Sequence, residues 1–182
     1  MNIREPGYGR QVGKGPMRHF TVTFTEDSPE RAEAVWFFSQ HAMLRQASPL
    51  PRKLDMMTTT EAQEYLDSHP VQKRWSILNT ATRKILDDDF ARIRFLPELE
   101  RVYLYGVGNT AIEHLSSLTH LIDLVVYSEQ VNDACLIHVA RLSSLESLDF
   151  QASPHVSDFG FEKTVSMLPS LKDWYSPHRK MG

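Results

Sequence analysis

The chain has 182 residues, of which 41% are hydrophobic and 24% charged, with a formal net charge of −3. That length supports one domain, or one domain with a small cap, and the composition is that of an ordinary globular α/β or α-rich protein. The charge excludes a general basic field for nucleic acid, the single Cys135 excludes an intrachain disulfide, and no apolar run reaches the ~18 residues that would span a bilayer.

In chain order, residues 1–18 carry Arg4, Arg10, Lys14 and Arg18 against Glu5 alone, with four glycines and no apolar face. They read as a flexible basic tail, with a remnant of a mitochondrial presequence or an expression scar as the alternatives. An N-terminal helical capping module is expected over 19–70. It begins with an alternating stretch, His19-Phe20-Thr21-Val22-Thr23-Phe24, that suits a short strand or extended arm. Ser28-Pro29-Glu30-Arg31 then supplies a capping hydroxyl and a proline at the first helical position. Ala32, Val35, Phe38 and Ala42 mark the expected apolar face of this helix, with Trp36 and Met43 near its edge. Residues 47–57, with Pro49 and Pro51, read as a linker, and Thr58-Thr59-Thr60-Glu61 fits a capping box for a second helix that stops before Pro70.

From residue 71 to 176 the grammar is repetitive. Leu96, Leu118, Leu142 and Leu168 stand 22, 24 and 26 residues apart. Each is followed at three-residue steps by apolar partners: Leu99 and Val102, Leu121 and Leu124, Leu145 and Leu148, Leu171 and Trp174. This period predicts a short leucine-rich-repeat solenoid of about four to five repeats, each with a parallel strand and a helix. The inward sets are Leu99/Val102/Leu104, Leu121/Leu124/Val126, Leu145/Leu148/Phe150 and Leu171/Trp174. A second phrase opens each helix, clearest as Val131-Asn132-Asp133-Ala134-Cys135-Leu136 and repeated from Val107 and Val156. The Asn or Asp in its third place (Asn109, Asp133, Asp158) is expected to cap the helix that follows. The small residue at Ala111, Cys135 or Gly160 lets neighbouring coils approach. Helical spacing then turns Ile112/Leu115/Leu118, Leu136/Val139/Leu142 and Phe161/Val165/Leu168 inward. A degenerate unit precedes these, with Trp75-Ser76-Ile77-Leu78-Asn79 as its strand and 85–93 as its helical phrase. Asp87, Asp88 and Asp89 within it point in different directions from a helix start, which favours capping and dipole compensation over a metal cluster. Residues 177–182 form a C-terminal tail.

No nucleophile motif, phosphate loop or metal-ligand spacing is present, so the sequence predicts no enzyme, no catalytic residue, no cofactor and no metal. His114 and His138 share a place in adjacent repeats, but Lys163 occupies that column in the third. The candidate functional residues lie on the strand face turned away from the core, in columns Arg101/Asp123/Ser147/Asp173, Tyr103/Val125/Asp149/Tyr175 and Tyr105/Tyr127/Gln151. Of these, Arg101, Tyr103, Tyr105, Asp123, Tyr127, Asp149 and Tyr175 form the expected protein-binding set, since tyrosine and arginine are enriched at interfaces. The competing account is that aromatics suit strands and cover neighbouring backbone.

Asp27-Ser28-Pro29-Glu30-Arg31-Ala32, followed by Trp36, Phe37 and Phe38, resembles the "GPDRAA…WLL" N-terminal helix of the mitochondrial ATP synthase subunit s family. That family is also known as coupling factor B, and its relatives include a distal-membrane-arm assembly protein of respiratory complex I. The order of parts is similar over residues 27–175: helical module, transition strand near 75–81, a first repeat with Asp87-Asp88, then repeats closing on Leu168-Pro169-Ser170-Leu171. The resemblance implies a non-enzymatic assembly or coupling factor on the matrix side of the inner membrane. Its partners would be subunits of a large mitochondrial complex, with no small-molecule substrate and with membrane contact only through those partners. The chain departs from the family in having one cysteine rather than several, and no ligand set for the family's metal association maps onto it. Two alternatives remain: a mitochondrial ribosome-associated protein whose basic tail meets ribosomal RNA, and a substrate-recognition repeat protein of a ubiquitin ligase, for which the F-box pattern is lacking.

Overall fold

The computed structural model of the chain describes residues 27–46, 56–69, 75–81 and 85–178. The expected basic tail, the strand at 19–24 and most of the 47–57 linker lie outside them. The chain divides into two compact units, one of residues 1–27 and 46–74, the other of residues 28–45 and 75–182.

In the first unit, helix α2 (Thr59–Ser68) starts at the expected capping box. The Thr58 hydroxyl accepts the Glu61 N–H at 3.3 Å, while the Glu61 carboxylate accepts the Thr58 N–H at 2.8 Å. Ala62 and Leu66, one turn apart, are its buried residues.

The second unit is α/β. It contains helix α1 (Pro29–His41) and strands β1 (Met43–Gln46), β2 (Trp75–Asn79), β3 (Arg101–Tyr105), β4 (Asp123–Tyr127), β5 (Ser147–Asp149) and β6 (Asp173–Tyr175). The six strands form one sheet in chain order, and every pairing from β2 to β6 is parallel. Parallel neighbours require crossovers. These are supplied by a 3-10 segment at Asp87–Phe95, helix α3 (Asn109–His114), helix α4 (Leu136–Val139) behind a 3-10 turn, and helix α5 (Asp158–Val165). Val102, Leu124 and Leu148 occupy one register column and are fully buried. Leu99, Leu121 and Leu145 are buried likewise, as are Ile112, Leu115, Leu118, Val139 and Phe161.

Four details differ from the sequence expectation. First, the buried face of α1 is Arg31, Ala34 and Phe38; Ala32 is exposed, Ala42 lies beyond the helix end, and Trp36 is 62% exposed. The phase is set by Phe38 packing on Phe90, with ring centroids 6.1 Å apart, and by Arg31. Second, Ala42 starts no further turn: the chain leaves α1 directly into β1, which the sequence reading left unassigned. Third, Thr164 is buried in place of the half-buried Val165, its hydroxyl donating to the Gly160 carbonyl at 3.0 Å. Fourth, Trp174 aligns with Leu148 but is 41% exposed, because β6 has only β5 as neighbour among the described residues.

The third-place residues also act differently. The helix caps are Gly108, Asn132 and Ser157. The residue after each cap instead receives the cap N–H of the next unit. Asp87 accepts from Gly108 N–H at 2.9 Å, Asn109 from Asn132 N–H at 3.0 Å, and Asp133 from Ser157 N–H at 2.7 Å. Gly108 is required by this approach, since a Cβ there would stand 2.3 Å from the Asp87 carboxylate. At Gly160 a Cβ would lie 2.9 Å from the Leu136 side chain, so the expected close coil contact is real at that position.

A buried ion pair joins α1 to the sheet. The Arg31 guanidinium, 6% exposed, donates to both Glu98 oxygens and to the Phe95 carbonyl at 2.9 Å; Glu98 also accepts the Trp75 N–H at 3.1 Å. Burial alone would raise the Glu98 carboxyl, but the hydrogen bonds from Arg31 and Trp75 outweigh it and hold it below its ordinary value near 4.5. A carboxylate so depressed stabilises the fold above that value and loses its contribution as pH falls through the lowered one. Arg31→Ala, which strands a buried carboxylate, is expected to cost about 3–5 kcal/mol in urea denaturation. Glu98→Gln should flatten the acid limb of stability against pH; an unchanged limb would assign acid sensitivity elsewhere.

Candidate functional site

Alternation along the strands decides what faces outward: with Val102 and Leu104 buried, Arg101, Tyr103 and Tyr105 must lie on the opposite side. The register then aligns the strands as the columns require. Arg101 pairs with Asp123, Asp123 with Ser147, and Ser147 with Asp173. Tyr103 pairs with Val125, Val125 with Asp149, and Asp149 with Tyr175, while Tyr105 stands opposite Tyr127. Gln151 falls beyond the end of β5, so the third column holds only the two tyrosines within strands. The face also extends onto β2, where Ile77 and Asn79 pair with Arg101 and Tyr103. Those two residues were absent from the predicted set, although the alternation around Leu78 carried the signal.

The tyrosines divide into two kinds. Tyr103 donates its hydroxyl to Asp123 at 2.8 Å, and Tyr127 donates to Asp149 at 2.8 Å. Each bond runs to the following strand, so the pairs form a repeated diagonal. The other Asp149 oxygen accepts the Gln151 N–H at 2.8 Å, which fixes that carboxylate from both sides. Tyr105 instead packs edge-on against Tyr127, with centroids 5.4 Å apart, and is 37% exposed; Tyr175 is 46% exposed. Arg101 is exposed. The seven predicted residues therefore share one face, but Tyr103 and Tyr127 are held by carboxylates while Arg101, Tyr105 and Tyr175 are open to a partner.

Burial and the Asp123 carboxylate both push the Tyr103 phenol up, with Arg101 partly opposing them. The Tyr127 phenol is pushed to about 12, chiefly by its bond to Asp149 and then by burial. Such pairs leave both tyrosines protonated and their aspartates charged near neutrality. Beneath the face, the buried hydroxyls of Ser128 and Ser153 donate to the carbonyls of Val107 (2.5 Å) and Val126 (2.8 Å), and that of Thr80 accepts the Tyr105 N–H at 3.0 Å. The sequence held this signal as a hydroxyl residue just past three successive strands.

The other candidates are accounted for by structure. Asp87 is bound to Gly108, and Asp89 pairs with Arg92 at 2.7 Å. Cys135 is free and buried, and its thiol is pushed up to about 12 by burial and then by Asp133. Among the described residues no three His, Cys, Asp or Glu side chains converge as a metal site, and no helix is long and apolar enough to cross a membrane. A groove of about 500 Å³ lies on the helical side between α4 and α5, lined by Leu136, Ile137, Ala140, Arg141, Lys163 and Met167, among others. The Asp133 carboxylate at its edge is already engaged by Ser157.

Comparison with known proteins finds no matching family model and no significant sequence match among curated proteins.

The raised Tyr127 phenol has a defined sign. Its protonated form is favoured in the folded state, so its contribution is whole below the ordinary value of 10 and is lost as pH rises toward 12. An ultraviolet phenolate titration of the folded protein should show a late-titrating tyrosine that disappears in Tyr127→Phe and shifts down in Asp149→Asn. A titration unchanged by both substitutions would disprove the pairing.

Proposed function

We propose that the chain is a non-enzymatic protein-binding scaffold, built as a short leucine-rich-repeat solenoid with an N-terminal helical cap, and that its open strand face holds the partner. The observation that carries this reading is the face itself. Arg101, Tyr105 and Tyr175 are exposed beside two tyrosines already fixed by carboxylates. Fixing those side chains before binding lowers the ordering cost of association. Large amphipathic side chains on a rigid sheet are the residue types that dominate binding energy in protein interfaces.

We further propose that the scaffold is a peripheral subunit or assembly factor of a mitochondrial inner-membrane complex, either ATP synthase or respiratory complex I, acting on the matrix side. The likeness of residues 27–38 to the subunit s family supports this. Within that stretch Arg31 bonds Glu98 and the Phe95 carbonyl at the entry to the repeats. The motif therefore works as a joint between the helical segment and the repeats, which is a reason for the two to occur together.

The test uses the full chain, tagged and recovered from a native membrane extract in mild detergent. The triple substitution Arg101→Ala, Tyr105→Ala, Tyr175→Ala should abolish co-sedimentation with a respiratory or ATP synthase assembly, since loss of one hot-spot contact worth ~2 kcal/mol already weakens binding roughly thirtyfold. Its thermal midpoint should stay close to the parent's, because all three side chains are exposed. Tyr103→Ala and Tyr127→Ala should lower the midpoint instead. Association that survives the triple substitution would count against the face. Salt-sensitive recovery of ribosomal RNA, lost on deleting residues 1–18, would favour the ribosomal alternative.

A further inference from the structure

Three regular series run through the larger unit, and all three are incomplete at the same place. The first is the column Val102, Leu124, Leu148, Trp174: its first three members are fully buried and the last is 41% exposed. Leu171 is only partly buried where Leu99, Leu121 and Leu145 are fully so. The second series is the acceptor that follows each helix cap. Asp87, Asn109 and Asp133 each take the cap N–H of the next unit, and Asp158 stands in the same position with no hydrogen bond to its carboxylate. The third is the diagonal from a face tyrosine to a carboxylate on the following strand. Tyr103 makes it to Asp123; Tyr175, in the same column, is 46% exposed and makes none. Strand β6, at the edge of the sheet, has β5 as its one neighbour among the described residues.

An exposed edge strand is commonly guarded by a lysine. Here Lys172 folds back onto Glu146 at 2.8 Å, and the edge is left uncovered.

We propose that β6, Trp174, Tyr175 and Asp158 together form a docking edge for a helix–strand segment of a partner chain, added parallel to β6. The earlier units define what that segment must bring, because each already binds one. Its helix cap presents a backbone N–H to Asp158, its strand lays an apolar side chain over Trp174, and a carboxylate on its outward side accepts the Tyr175 hydroxyl. Main-chain pairing along the edge supplies affinity, while these three positions supply register. This edge is separate from the central strand face, although Tyr175 borders both.

The segment of this chain that best meets the description is residues 107–127. In the molecule it donates the Gly108 N–H to an aspartate, pairs β4 in parallel with β3, and sets Asp123 under the hydroxyl of a tyrosine in the Tyr175 column. A synthetic peptide of that sequence, fluorescently labelled, is therefore the probe, titrated against the full 182-residue protein by anisotropy. Saturable one-to-one binding is expected, with amide exchange slowing across residues 172–176. Asp158→Ala and Trp174→Ala, both at exposed positions, should each weaken binding on the order of tenfold. A peptide carrying Leu121→Ser and Leu124→Ser should not bind. Binding unchanged in both protein variants, or no saturable binding with wild-type protein, would overturn the proposal. So would a concentration-dependent dimer in sedimentation that Trp174→Ala abolishes, since that would give the edge to a second copy.

Discussion

Two strands that run in the same direction cannot be joined by a hairpin, so each strand of this sheet is reached by a return path through the helical layer. If that path began at a different height in each unit, the strands would slip in register. A slip of one residue would turn every leucine outward. The bonds from Gly108, Asn132 and Ser157 to Asp87, Asn109 and Asp133 hold the height constant. The first N–H groups of a helix need partners in any case. Taking that partner from the unit before makes a local requirement serve as a ruler between units. The reciprocal Asn109–Asn132 pair shows this most directly, with the side-chain amide of one bonding the side-chain carbonyl of the other at 3.0 Å. Spacings of 22, 24 and 26 residues can then coexist, because the extra length is absorbed in the turn between strand end and cap.

With height fixed, the outward columns follow, and so does the division of labour among the tyrosines. A phenol reaches the carboxylate on the next strand only if the strands keep a constant offset. Both Tyr103–Asp123 and Tyr127–Asp149 have it, at 2.8 Å. The face is therefore a consequence of the same register that buries Val102, Leu124 and Leu148. Its electrostatics follow too: a carboxylate that accepts a phenolic hydrogen bond keeps its charge and keeps the phenol neutral, so the face mixes negative points with neutral aromatic surface across the working pH range.

The parts of this arrangement legible in the sequence were those that depend on one strand or one helix at a time. Alternation gave the inward leucines and the outward columns, and Thr58 with Glu61 gave a cap complete within four residues. The parts that were not legible depend on a neighbour far along the chain. Asp133 looks like a cap for its own helix because Asn and Asp favour that place, yet its partner is Ser157, in the next unit. The phase of α1 looked aliphatic because Ala32 and Ala42 fit a stripe. It is set instead by Arg31, a charged residue whose burial makes sense only once Glu98, 67 positions away, is beside it. Trp174 read as core because it follows the leucine pattern, and pattern alone cannot tell a middle unit from an edge one.

That last point separates the two ends of the core. At one end, Ala34 and Phe38 of α1 join the buried cluster through Phe90, and the Arg31–Glu98 pair fixes the helix there. Such an end is closed by packing and by a charge pair whose rupture is costly. At the other end the same leucine column runs out onto Trp174, with no side chain laid over it. A stack of units with one closed and one open end has a direction, unlike an isolated symmetric sheet. The direction comes from where the sequence departs from its own repeat: a helix with a buried arginine before the first unit, and a tryptophan in place of leucine in the last.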